Sequence, residues 1–291
     1  MGLLDRASVR LLESLRLRVP ARIAGTAQGG HKSPMLNTGV EFADHRAYIP
    51  GDDIRQIDWK AFARHKQLIM RTFTEERDAR IYVLLDTSAS MSRGTPSKLE
   101  VGKQIAASFA YLGMKQYDRV LTMPFAAELG TSSPPMRTKN ELPVLEGILS
   151  PLEADGMTSF QSTVRSFAER YPTKGFVIIV SDLMQLSDLD EQVRTLGRFG
   201  HHVCVVRVSC KEDDEPPFRG EIEVVDAETG QKVRLTATKQ LVEAYKKEVR
   251  SHVARCRDAC VRVGGRLVEA QVEQPLDKLL KQVLAIAAEG A

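Results

Sequence analysis

The sequence predicts an α/β fold, a doubly wound and mainly parallel sheet carrying a small β-rich appendage. Short, largely apolar runs recur along the chain, among them IYVLL (81–85), GFVIIV (175–180) and HHVCVVRVS (201–209). Strands apolar on both faces belong to a sheet covered on both sides. The runs alternate with segments of helical spacing such as KLEVGKQIAASFAYLGMKQ (98–116), and strand-helix alternation is the mark of βαβ units.

The elements follow in order. In MGLLDRASVRLLESLRLRVPARI (1–23), charges every few residues leave no apolar stretch of the signal-peptide type, while Val9, Leu12, Leu15 and Val19 recur at helical spacing and suit docking onto a core. The Gly- and Ser-containing stretch GTAQGGHKSPMLNTG (25–39) reads as a flexible loop, so residues 1–34 are a helix and a loop. Residues 35–80 are the appendage: Phe42, Tyr48, Trp59, Phe62 and Phe73 lie among charges, Gly39 and Pro50-Gly51 signal turns, and QLIMRTFTEER (67–77) alternates like a half-exposed strand.

Residues 81–291 form the α/β domain. After the first apolar strand and its helix, DRVLTMPFA (118–126) is a second strand. A polar stretch then leads to helices around 140–150 and 161–170, another buried strand, the helix LDEQVRTLGRF (189–199) and a further strand. EIEVVD and QKVRLT flank AETG as a hairpin near 221–236 with Gly230 at its turn. A long helix (about 238–262), a last strand GGRLVEAQV and a closing helix LDKLLKQVLAIAA complete the chain, and this C-terminal part is assigned to the same sheet.

Composition narrows function. With 43% hydrophobic and 27% charged residues over 291 positions, the chain can bury a sizeable core. The 41 basic and 38 acidic residues nearly cancel, leaving none of the basic excess of a nucleic-acid binder. No run approaches the ~18 apolar residues that cross a bilayer. The 4 cysteines have no disulfide-framework spacing, which with no secretory signal points to a reducing cytoplasm.

One motif carries chemistry. Asp86-Thr87-Ser88-Ala89-Ser90 directly follows a buried strand, and open parallel sheets bind ligands beyond the carboxyl ends of their strands. A carboxylate and two hydroxyls are hard oxygen ligands suited to Mg²⁺ or Mn²⁺. A turn and a helix N-cap want the same residues. Thr158 lies in a loop entering a helix, and Asp182 ends another buried strand. If the strands are parallel, three loops converge with two carboxylates and three hydroxyls; helix caps explain each residue singly but not the concurrence. The set contains no nucleophile with a base beside it, so no catalytic residue is expected. A phosphatase of the DxDx[TV] type needs a carboxylate where Ser88 stands, and no GxxxxGK[ST] phosphate loop is present.

Other clusters have plainer explanations. Asp52, Asp53 and Asp58 suit turns and pairing with Arg46, Arg55 or Arg64 better than a nuclease-like metal site. His252, Cys256 and Cys260 share a helical face and invite a zinc reading, but the bordering valines and the lack of a fourth ligand favour core. His201-His202 has no partner spacing.

LLDTSASM, GMTSF and VIIVSDL together resemble the metal-ion-dependent adhesion site of von Willebrand factor A-like domains. The resemblance implies that Asp86, Ser88, Ser90, Thr158 and Asp182 are the metal set, with Gly156-Met157 replacing the usual Gly-Gly before the threonine. GVEFADHRAYIPGDDIRQIDWKAFARHKQLIMRTFTEE is similar to the segment preceding such a domain in the bacterial family called domain of unknown function fifty-eight. Arg46, Tyr48, Gly51, Asp52, Arg55 and Trp59 match that segment and are expected to form a structural or docking element. Such proteins are often encoded beside MoxR-type AAA+ ATPases. The resemblance, which covers most of residues 35–210, therefore implies a non-enzymatic, Mg²⁺-dependent adaptor or co-chaperone with such an ATPase as partner. A metal-dependent phosphohydrolase and a scaffold with an incidental metal are the alternatives.

Overall fold

The computed structural model describes residues 2–17, 40–49, 57–65, 67–75, 79–184 and 189–288. They fall into two compact units, Met1–Ile23 with Ala79–Ala291, and Ala24–Asp78. The larger unit opens with α1 (Arg6–Ser14), capped by the Asp5 carboxylate, which accepts the Ser8 N–H at 2.7 Å. Leu12 is fully buried, with Val9 and Leu15 partly buried against the same core. Val19 lies outside the described residues.

The smaller unit holds β1 (Val40–Ala47), α2 (Trp59–His65) and β2 (Ile69–Glu75). β1 and β2 pair antiparallel with an irregularity between Phe42 and Asp44. The helix was not expected in a segment read as β-rich. It starts where the Asp58 carboxylate accepts the Ala61 N–H at 3.0 Å, so Asp58 serves as a cap. Asp52 and Asp53 lie outside the described residues.

The larger unit resumes with β3 (Arg80–Asp86), α3 (Lys98–Lys115), β4 (Arg119–Phe125), α4 (Leu142–Leu149), α5 (Phe160–Arg170) and β5 (Phe176–Ser181). It continues through α6 (Leu189–Arg198), β6 (His202–Ser209), α7 (Lys211–Asp214), β7 (Gly220–Val225), β8 (Lys232–Ala237), α8 (Lys239–Arg262), β9 (Arg266–Gln271) and α9 (Leu276–Ala288). The main sheet has the order β4-β3-β5-β6-β9, every neighbouring pair parallel.

The alternation of side chains along β3 explains the layers. Ile81, Val83 and Leu85 enter a core with Leu12, the buried face of α3, Leu145 and Leu149 of α4, and Leu279 and Leu280 of α9. Tyr82 and Leu84 enter the opposite core with Phe160, Val164 and Phe167 of α5, Val193 and Leu196 of α6, and Cys256 and Cys260 of α8. Each large apolar side chain so buried stabilises the fold by about 1.5–3 kcal/mol before chain entropy is counted. The two helical thiols are core residues, and the His252 ring nitrogen Nε2 is hydrogen-bonded to the Leu183 carbonyl at 2.7 Å.

The segment after residue 211 divides. β9 joins the main sheet, as expected, but β7 and β8 form their own antiparallel two-stranded sheet. Their chemistry is the reason: Glu223 faces Lys232 and Arg234 across one side of the ribbon, and most ribbon residues are exposed. Strands with one such charged face are not suited to a sheet covered by helices on both sides.

Candidate metal centre

The site lies where the winding changes direction. β3 feeds α3 in one layer and the adjacent β5 feeds α6 in the other, which opens a crevice at the carboxyl ends of these two strands. Asp86 ends β3 and is buried. Its Oδ2 accepts from the Ser181 hydroxyl at 2.6 Å and its Oδ1 from the Ser88 N–H at 2.9 Å. The Ser88 and Ser90 hydroxyl oxygens lie 3.1 Å apart, the second in a short 3₁₀ turn, Ala89–Ser92.

Backbone bonds hold three loops together. Thr87 N–H donates to the Phe125 carbonyl at the end of β4 (2.8 Å), Ala89 N–H to Gly156 (2.9 Å), and Asp155 N–H to Thr87 (2.9 Å). Gly156 has φ 78°, a left-handed conformation that any other residue adopts at a cost of about 1 kcal/mol or more. This stitching brings the loop of Thr158 beside the Asp86–Ser90 loop.

Asp182 has other partners. Its Oδ2 accepts from the Lys98 ammonium at 2.6 Å and its Oδ1 from the Met184 N–H at 3.1 Å. Lys98 also pairs with Asp213 at 3.3 Å, and its side chain is 1% exposed. It is the first residue of α3, whose start is set by a capping box: Glu100 N–H bonds Ser97 Oγ, and Ser97 N–H bonds Glu100 Oε2. Burial opposes the ammonium, but Asp182 and Asp213 outweigh it and raise its pKa. Burial likewise opposes the Asp213 carboxylate, yet Lys98 holds it below its ordinary value.

Among the described residues, Asp86 has no such cation. Burial first, and the Asp182 carboxylate second, push its pKa up to about 6 despite the bond from Ser181. The remaining expected ligand, Thr158, is half-buried and donates both N–H and hydroxyl to the carboxylate of Glu228, at 2.9 and 3.1 Å.

Asp86, Ser88 and Ser90 thus form one contiguous hydroxyl-carboxylate group, while Asp182 and Thr158 are bonded to Lys98 and Glu228. Among the described residues no three His, Cys, Asp or Glu side chains cluster as a metal site, so any ion here depends on hydroxyl ligands. Their chemistry suits one: the oxygen donors are hard, and the buried Asp86 carboxylate is short of positive charge.

Sequence reasoning missed Ser181, Lys98, Asp213 and Glu228. A lysine opening a largely apolar helix directly after a capping serine was the visible signal for Lys98. Nothing in the hairpin tip marked Glu228.

Of the expected docking signature, Arg46 lies on β1 opposite Met70. Tyr48 is half-buried, with its N–H on the Leu68 carbonyl at 2.9 Å. Trp59 opens α2 with its side chain 58% exposed and meets the Phe62 ring edge-on. Gly51, Asp52 and Arg55 lie outside the described residues. No described helix is long and apolar enough to cross a membrane.

Known proteins share features of this chain. Uncharacterized proteins of Mycobacterium bovis and Mycobacterium tuberculosis are 27% identical over 225 residues, which is 75% of this chain and 70% of each relative. Among solved structures, an aerotolerance-related membrane protein from Bacteroides fragilis aligns at TM-score 0.47 and 16% identity, over 72% of this chain and 99% of that one. The SpRpn10 VWA domain aligns at TM-score 0.42 and 12% identity, over 71% and 95%. Both scores are modest, and the fold assigned here rests on strand order and layering. The model of the family described as protein of unknown function DUF58 matches residues 44–255, and the chain belongs to that family.

Proposed function

We propose that the protein is a non-enzymatic binding protein whose site at Asp86, Ser88, Ser90, Thr158 and Asp182 uses Mg²⁺ or Mn²⁺ to grip an acidic side chain of a partner protein. The observation that supports this most is the pair of serine hydroxyls, 3.1 Å apart, beside a buried carboxylate that has no cationic partner among the described residues. A bound divalent ion would supply an open, electrophilic position for a carboxylate oxygen. The chain's own residues favour such an outcome. Ser88, Ser90 and Thr158 offer neutral oxygens, Asp86 is oriented by Ser181 and by the Ser88 N–H, and Lys98 offsets the charge of Asp182. These five residues by themselves then cancel little of an ion's charge. The family resemblance suggests a MoxR-type AAA+ ATPase as partner and an adaptor or co-chaperone role in the cytoplasm, by analogy alone.

The test is calorimetric titration of Mg²⁺ and of Mn²⁺ into chelator-stripped protein, beside Asp86→Ala and the Ser88→Ala/Ser90→Ala double variant. Saturable binding that both folded variants lose is expected. Absence of binding by the folded wild type, alone and with the ATPase present, overturns the reading. One observation favours a second reading: the Lys98 ammonium, 2.6 Å from Asp182, already supplies a buried cation. On that reading the protein is a scaffold, and its partner binding persists in chelator.

A further inference from the structure

Outside the five-residue set, one carboxylate has both oxygens bonded into it. Glu228 Oε2 accepts the backbone N–H of Thr158 and Oε1 accepts its hydroxyl, across 70 residues of sequence. The presentation is preformed. The Asp226 carboxylate accepts the N–H groups of Glu228 and Thr229 at 2.9 and 2.8 Å, and Gly230 takes φ 68°, so the hairpin turn is rigid at its tip. Behind the tip, β7 and β8 pair with one another and expose Val224, Val225 and Val233. A lone two-stranded ribbon is marginally stable in water, and this one is tied at its tip to the loop of Thr158.

A hydroxyl can give its proton to a carboxylate while its lone pairs face a cation. The bonds from Thr158 to Glu228 are therefore compatible with Thr158 as a metal ligand, and they put an acidic side chain against the set that is expected to recruit one. Resting on the metal-binding reading above, we propose that Glu228 is the chain's own acidic ligand for this site. It completes the site in the free protein, and a partner's Asp or Glu must displace it. The exposed ribbon is then the part of the molecule that moves when a partner docks.

The experiment is Mg²⁺ titration of the intact chain and of Glu228→Gln, Glu228→Ala and Glu221→Gln, with amide hydrogen exchange of residues 220–237 followed with and without Mg²⁺. Loss of Glu228 is expected to weaken Mg²⁺ binding about tenfold, with Glu221→Gln unchanged. Added acetate should restore much of the affinity of Glu228→Ala, since a free carboxylate can occupy the space. Mg²⁺ should slow exchange in the wild-type ribbon and leave that of Glu228→Gln unaltered. Wild-type Mg²⁺ binding that Glu228→Gln retains or improves, with ribbon exchange indifferent to the ion, overturns the assignment and leaves the metal-binding reading standing. Failure of the wild type to bind on its own also overturns the assignment, and failure with the ATPase present as well removes both.

Discussion

Replacing Lys98 by methionine keeps the length and apolar stem of the side chain and deletes its charge. The ammonium stands 2.6 Å from Asp182 and 3.3 Å from Asp213, nearly out of contact with solvent. At an effective dielectric of ~20, each attraction is about 5–6 kcal/mol. Much of that is offset by the several kcal/mol needed to desolvate each ion. Deletion does not return the net value of the triad; it strands two buried carboxylates, which costs about 3–5 kcal/mol. Against a total stability of about 5–15 kcal/mol, such a loss moves the urea midpoint by roughly 1 M or more. Urea unfolding followed by circular dichroism at pH 7 measures it. Asp182→Asn and the Lys98→Met/Asp182→Asn pair complete a cycle in which the double variant should be less destabilised than the two singles together, by about 0.5–3 kcal/mol. If Lys98→Met does not fold, Asp182→Asn, which leaves Lys98 its bond to Asp213, still reports the pair. A loss below about 1 kcal/mol for Lys98→Met would refute the reasoning, because it would mean that water reaches the carboxylates as soon as the ammonium is gone.

Two further expectations concern buried groups. His201 packs against Tyr82 and Phe167, and burial lowers its pKa from 6.5. Below about pH 6.5 the unfolded chain therefore binds a proton that the folded chain refuses, and stability should fall with pH there by up to about 1.4 kcal/mol per unit. His201→Phe should flatten that part of the profile in thermal melts between pH 5 and 7.5, whereas an unchanged slope would show that the ring is protonated in the fold. The thiols of Cys204, Cys210, Cys256 and Cys260 are buried, with burial raising Cys204 and Cys260 to about 12 and Cys256 to about 11. Ellman's reagent at pH 8 should leave all four untouched until denaturant is added; rapid reaction of any of them in native buffer contradicts this packing.

What could be read from the sequence was what depends on near neighbours. The runs around Val83, Ile178 and Val205 declare strands covered on both faces, since only such strands tolerate consecutive apolar residues. Asp86, Ser88 and Ser90 were visible because their relation spans five residues after a strand end. Lys98 and Glu228 were not, because their partners lie 84 and 70 residues away, and nothing local records which loop a folded chain brings alongside. The hairpin was recognised from its turn, yet placed in the main sheet, because the pattern that shows pairing does not show what the pair rests on. In the smaller unit, Trp59 and Phe62 weighed toward strand, while the capping carboxylate of Asp58 decided for helix.

Position 183 serves two masters. Leu183 follows Asp182 with φ 60°, which a leucine adopts at a cost of about 1–2 kcal/mol, yet its side chain is fully buried in the core shared with α5 and α6. Its N–H is fastened to Ser181 Oγ at 3.1 Å and its carbonyl to His252. Glycine would suit the backbone but empty the core, at about 2–5 kcal/mol; a β-branched residue would fill space and fit the turn worse. The peptide behind Asp182 is thus a fixed hinge-stop in a narrow corner of sequence space. Few paths of substitution leave it without first loosening the carboxylate in front of it.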